Sequence, residues 1–199
     1  MASCYGLILA GGLSSRMGTD KAQLLRNGQT MLEYSQALLE SLGLEVLISG
    51  RDQGIPDLFP ELGPLVGIYT AVKHCESENL DIDAMLIIPV DMPLLTHQLL
   101  QKLVHVGGEA GTATCYADCY LPLYLPVNNE VRGYLEQVFE EREDGKEVNQ
   151  TSSKKSPRSI KRMLATLNAN ELPVEDAEVL SNVNTPDEWD IAKRLINPN

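Results

Sequence analysis

At 199 residues, 43% of them hydrophobic, the chain has enough apolar material for one compact core; neither a linker nor an internal repeat divides it, so 1–199 reads as a single domain. Its formal net charge of −12 argues against nucleic acid and anionic membrane surfaces as partners, since both reward clustered Lys and Arg. No apolar run approaches the roughly 20 residues that span a bilayer, no signal peptide opens the chain, and Cys4, Cys75, Cys115 and Cys119 show neither C-x-x-C nor zinc spacing, which predicts a reducing, cytoplasmic setting.

The first element is the apolar run CYGLIL at 4–9, a buried parallel strand that ends in Ala10-Gly11-Gly12. Helical spacing predicts a helix over 31–42, with Thr30 and Glu33 as its capping box and Gly43 as its stop. A second strand at 45–49 follows, then a helix over 65–75 behind Gly63-Pro64. A third strand at 84–90 runs directly into Asp91. Thr96 caps a helix over 97–106 that Gly107-Gly108 would end. Segments 112–116 and 120–125, joined by Ala117-Asp118-Cys119, form an antiparallel hairpin. Helices are predicted over 129–141 and 159–167, with the polar, unpatterned stretch 143–157 between them. Thr185, Pro186 and Glu188 open a last helix as N-cap, N1 proline and capping-box acid. Strands alternating with helices give an α/β fold of three layers, Rossmann-like, with a mostly parallel central sheet and an antiparallel hairpin insertion.

The chemistry concentrates where the first strand ends, in Leu9-Ala10-Gly11-Gly12-Leu13-Ser14-Ser15-Arg16-Met17-Gly18-Thr19-Asp20-Lys21. Ligands of open α/β sheets bind at the carboxyl ends of the strands. Consecutive glycines let backbone N–H groups approach a polyphosphate, and Arg16 and Lys21 add two positive charges to the same loop. The spacing is neither a Walker A loop nor the dinucleotide fingerprint. Asp91, at the end of another apolar strand, suits a hard cation held through oxygen, although an aspartate before Pro93 also suits a turn. Asn182 and Asn184 precede the last helix, where they serve either a pocket or a turn. Lys154, Lys155, Arg158, Lys161 and Arg162 form a basic cluster that reads as a solvated face or as a clamp on a phosphate.

The Leu-Ala-Gly-Gly-x-Ser-x-Arg-Met-Gly-x-Asp-Lys run resembles the signature of the MobA-like nucleotidyltransferases, and among them the molybdenum cofactor guanylyltransferases. Gly63-Pro64-Leu65-x-Gly67, Pro89-x-Asp91-x-Pro93 and Asn182-Val183-Asn184-Thr185-Pro186 continue the likeness in the family's order. The resemblance implies a nucleotidyltransferase fold and transfer of GMP from Mg·GTP to molybdopterin phosphate, with pyrophosphate released. It further implies that the N-terminal part binds nucleotide through Leu9, Ala10, Gly11, Gly12, Lys21, Asp57 and Asp91. Asp57 takes the place of a second nucleotide-contacting aspartate, at a shorter spacing from Gly63 than the family pattern has. Mg²⁺ on Asp91 is also implied, and Arg16 and Lys21 beside it would lower the repulsion between the two anionic reactants, which makes Arg16, Lys21 and Asp91 the expected catalytic groups. Asn182 and Asn184, in the C-terminal part, lie near the acceptor, and passing contacts with other proteins of molybdenum cofactor biosynthesis are implied as well. An acceptor phosphate is already ionised at neutral pH, so direct in-line displacement without a general base or covalent intermediate suffices. Two rivals share these residues: a transferase using CTP or a sugar or alcohol phosphate, and a non-catalytic GTP-binding module.

Overall fold

The computed structural model describes residues 3–11, 17, 19–50, 54–59, 63–140 and 159–197. The chain lays down β1 (Cys4–Leu9), a 3-10 turn at Lys21–Gln23, a small hairpin of β2 (Leu25–Arg26) and β3 (Gln29–Thr30), α1 (Met31–Glu40), β4 (Glu45–Ser49), α2 (Pro64–Ser77) and β5 (Ala84–Pro89). It continues through α3 (His97–Ala110), β6 (Thr114–Tyr116), β7 (Cys119–Pro126), α4 (Asn129–Glu140), α5 (Ile160–Thr166), β8 (Asn170–Leu172), a 3-10 turn at Ala177–Leu180 and α6 (Pro186–Ile196).

The main sheet has the order β4-β1-β5-β7-β6-β8. β1 runs parallel to both β4 and β5, in a register that sets Leu9 beside Ser49 on one side and Pro89 on the other. β7 pairs antiparallel with β5 and β6, while β8 runs parallel to β6. The sheet is therefore mostly parallel with a hairpin insertion.

Strand alternation divides the core into two clusters. Leu7, Leu9, Met85 and Ile87 join Leu65, Ile68 and Val72 of α2 and the inward residues of α4 and α5. Ile8, Leu86 and Ile88 face the other way, toward Leu38 and Leu39 of α1, Leu100 and Leu103 of α3, and Trp189 and Ala192 of α6. Leu7, Ile8, Ile87 and Ile88 are 0% exposed, and each such side chain contributes about 1.5–3 kcal/mol by leaving water. Among the described residues no helix is long and apolar enough to cross a membrane.

Most element ends shift by one or two residues from those the sequence predicts, and two differences have a clear packing or turn cause. α3 does not stop at Gly107-Gly108; it runs to Ala110 and ends at Gly111, whose φ of 62° and N–H to Gly107 O make the C-cap. Gly107 lies inside the helix because it packs directly on the Tyr124 ring, where a Cβ would collide with the ring carbons. The β6–β7 link is Ala117-Asp118, with Asp118 at φ 58°, so Cys119 belongs to the strand. The Asn27-Gly28 turn between β2 and β3 and the short β8 have no counterpart in the sequence expectations. Both are short pairings with little periodicity of their own.

Candidate nucleotide and metal site

β1, β4 and β5 finish at one level, which fixes where the loops emerge. Ala10 N–H donates to Ser49 O at 3.0 Å, and Val90 N–H donates to Leu9 O at 3.1 Å. Gly11 and Asp91, two residues beyond the paired Leu9 and Pro89, consequently leave the sheet on the same rim. Leu9 and Ala10 are buried, at 8% and 2% exposure. Their side chains belong to the core, so their main chain is what they present at the rim.

Gly11 is packed backbone to backbone against Gly50. Gly50 has φ 84°, and a Cβ there would overlap the Gly11 main chain. Gly50 N–H donates to Ile55 O at 3.0 Å and Ile55 N–H to Ile48 O at 2.8 Å. Asp57 lies close by: buried Ser49 donates its hydroxyl to Asp57 Oδ1 at 2.9 Å. A Cβ on Gly11 would come to 3.2 Å from Asp57 Oδ2. Gly67 on α2 lacks a Cβ where Leu9 Cδ2 and Ser49 Oγ would sit 2.7 and 2.8 Å away, so the helix lies close on the strand ends.

Lys21 is aimed by its own short turn. Asp20 caps it by accepting Ala22 N–H at 3.0 Å, and Ala22 is fully buried, anchoring the turn in the second cluster. Lys21 Nζ reaches Asp91 Oδ2 at 2.8 Å and Asn184 Oδ1 at 2.7 Å. Asp91 is held again from the C-terminal segment: Asn182 Nδ2 donates to its Oδ1 at 2.9 Å, and Val183 N–H donates to its carbonyl at 2.8 Å. The side chains of Lys21 and Asp91 are 18% and 15% exposed, so water screens this pair less than a surface pair.

Behind Asn184 stands Glu188, in the first turn of α6. Its Oε2 accepts the N–H of Asn184 at 2.6 Å and of Thr185 at 2.9 Å, while Thr185 Oγ1 accepts Glu188 N–H at 3.3 Å. The Asn184 N–H bond above all, then the Thr185 bonds and the nearby Lys21 charge, hold its carboxyl below the ordinary glutamate range. The Thr-Pro-x-Glu box signals a helix start, but only folding shows that the same carboxylate braces a site residue. Ser49 and Gly50 likewise carry no signal in the sequence, because their meaning lies in what packs on them.

Lys21, Asp91, Asn182 and Asn184 are thus brought together, and Asp57 joins Gly11 on the β4 side of the rim. Gly12 and Arg16, and Lys154, Lys155 and Arg158 of the basic cluster, lie outside the described residues. Lys161 has its Nζ 5.7 Å from the Tyr120 ring centre. It extends from α5, whose buried residues belong to the first cluster, whereas Val183 and Trp189 belong to the second. Among the described residues no group of three or more His, Cys, Asp or Glu side chains could hold a metal ion. The oxygens gathered around Lys21 Nζ are those of one carboxylate, Asp91, and one amide, Asn184.

A mostly parallel sheet with glycines packed at its rim, and a lysine and an aspartate paired there, is the architecture of the nucleotidyltransferase class. The chain belongs to the MobA-like NTP transferase domain family, whose model matches residues 6–153. It is 45% identical over 103 residues to a molybdenum cofactor guanylyltransferase of Xanthomonas euvesicatoria, covering 50% of this chain and 52% of that protein. It is 36% identical over 125 residues to a probable molybdenum cofactor guanylyltransferase of Flavobacterium johnsoniae, covering 59% and 63%. The matches thus span about half to two-thirds of the length of these relatives. Among solved structures, molybdopterin-guanine dinucleotide biosynthesis protein A of Archaeoglobus fulgidus superposes with a TM-score of 0.70 at 22% identity, covering 96% of this chain and 97% of that one. A Mycobacterium tuberculosis protein solved in complex with manganese shares the fold at TM-score 0.64 and 15% identity, covering 97% and 99%.

Proposed function

We propose that this protein transfers GMP from Mg·GTP to the phosphate of molybdopterin, forming the guanine dinucleotide and releasing pyrophosphate. The reading rests on one observation above others. Three segments far apart in sequence meet at one rim, where Lys21 Nζ lies 2.8 Å from Asp91 Oδ2 and 2.7 Å from Asn184 Oδ1. The family membership and the names of the curated relatives support the choice of nucleotide and acceptor.

In this reading the backbone at Leu9, Ala10, Gly11 and Gly12 cradles the triphosphate, and Asp57 contacts the nucleotide from the β4 side. Lys21 and Arg16 offset the phosphate charge. Asp91 holds Mg²⁺, which when bound neutralises the phosphates further. The residues present fit such an ion: the donors are carboxylate and amide oxygens, suited to a hard cation, and a lysine ammonium already lies between two of them. Asn182 and Asn184 meet the acceptor. An acceptor phosphate oxygen bonds to the α-phosphorus while the bond from that phosphorus to the oxygen bridging to the β-phosphate breaks, and pyrophosphate leaves. Both reactants are anions, so positioning and charge neutralisation carry the catalysis. Passing contacts with other proteins of the same biosynthesis fit a product that must be handed on.

The test is pyrophosphate release by the full chain with Mg²⁺, molybdopterin and each nucleoside triphosphate in turn. GTP should support release and CTP should not. Asp91→Ala should lower kcat by about 10²–10³-fold, while a GTP-induced rise in Tm largely persists. Release with CTP alone, or only with a sugar or alcohol phosphate as acceptor, would assign a related transferase instead. A GTP-induced rise in Tm without any release would leave a binding module.

A further inference from the structure

The Lys21 ammonium occupies a defined place between two oxygens from different parts of the chain, 2.8 Å from Asp91 Oδ2 and 2.7 Å from Asn184 Oδ1. Both residues are also held by bonds that do not involve the lysine. Asp91 is held from its other oxygen by Asn182 and through its carbonyl by Val183 N–H. Asn184 is held through its N–H by Glu188. Two oxygens converging on one monovalent cation are the kind of donors that a divalent cation also takes. An ammonium and a metal ion cannot share that place, both for want of room and because like charges repel.

We propose that Asn184 Oδ1 is the second protein ligand of the divalent cation, joining Asp91 Oδ2 at the position the Lys21 ammonium holds. The cation enters only as the nucleotide's phosphates draw that ammonium away. This rests on the proposed nucleotidyltransferase reading for the nucleotide, but not for the cation itself. Lys21 then acts as a place-holder: it neutralises Asp91 before substrate arrives and exchanges one anionic partner for another when the triphosphate binds. Metal and nucleotide affinities become coupled, each ligand favouring the state the other needs. Asn184 keeps its amide nitrogen for the acceptor, so one side chain touches both halves of the reaction.

The test uses Mn²⁺ binding to the full chain without nucleotide, read from the electron paramagnetic resonance signal of free Mn²⁺. It needs no turnover and no choice of acceptor, so it remains decisive if GTP transfer is never observed. Lys21→Met keeps the stem and removes the charge, and should tighten Mn²⁺ binding by about tenfold or more. Adding Asn184→Leu or Asn184→Ala should return affinity to the wild-type level; neither touches the backbone N–H that holds the segment to Glu188, and melting curves confirm that each variant is folded. Adding Asp91→Ala to Lys21→Met should abolish the gain. In the wild type, GTP should tighten Mn²⁺ binding, and in Lys21→Met that enhancement should shrink. If Lys21→Met/Asn184→Leu binds as tightly as Lys21→Met alone, the lysine acts by charge only and Asn184 is no ligand. If the wild type without nucleotide already binds as tightly as Lys21→Met, there is no place-holding, and the proposal falls.

Discussion

Glu188 uses a single oxygen, Oε2, both to begin α6 and to hold the Asn184 N–H. Thr185→Ala removes the reciprocal half of the same cap but leaves the Asn184 bond, so the two roles separate experimentally. Thr185→Ala should lower stability by about 1 kcal/mol with steady-state kinetics nearly unchanged. Glu188→Ala should produce a similar stability loss together with about a tenfold fall in kcat/KM, since its removal frees the segment that positions Asn184. The carboxyl also titrates low for a stated reason, the N–H donors that need its charged form. A folded pKa below the unfolded one contributes stability above the unfolded value and loses it as pH falls through the folded value. Melting temperature should therefore decline as pH falls from about 4.5, and Glu188→Gln should flatten that decline. Glu33, which closes the same kind of box on α1 and is depressed chiefly by the Thr30 N–H, should contribute in the same direction from a place remote from the rim.

Elements are legible in the sequence where periodicity or punctuation acts locally. The buried runs of β1 and β5, the Thr30–Glu33 and Thr185–Glu188 boxes and the Pro64 start of α2 all appear where the residues announce them. The sequence makes α3 too short because a Gly-Gly pair usually ends a helix, whereas here Gly107 is required by the Tyr124 ring that presses on it from β7. Gly108 has room, since a Cβ there would lie 3.8 Å from its nearest neighbour, the Tyr124 hydroxyl. Gly107→Ala should thus destabilise by about 1–3 kcal/mol through overpacking, and Gly108→Ala should be neutral or stabilise by up to about 1 kcal/mol in a chemical-denaturation series. The site is legible to the same degree. Lys21 is a candidate from the glycine loop that follows β1, Asp91 from its place just beyond β5, and the Asn-Val-Asn run from its place before a cap. That Asn182 and Asn184 both bear on the Lys21–Asp91 pair is not legible, since those contacts join residues 91 and 163 positions apart.

Across the molecule, the sheet separates two apolar layers, and the rim residues are tied to the second of them through Ala22, Val183 and Trp189. Trp189 is the chain's one tryptophan and is 8% exposed, so its emission reports that layer. Because α6 is tied to the sheet through Trp189 and the Val183–Asp91 bond, denaturant transitions followed by Trp emission and by far-ultraviolet circular dichroism should coincide; an earlier emission change would show α6 detaching alone.

The pinning of Asp91 by Asn182 and Val183 also sets an order of events during synthesis. A ribosome releases the glycine loop, its lysine and the aspartate long before residues 182–188 leave the exit tunnel. The growing polypeptide therefore carries a nearly finished sheet whose Asp91 corner stays loose until α6 docks, and a nascent chain stalled short of that point should bind nucleotide without releasing pyrophosphate from it.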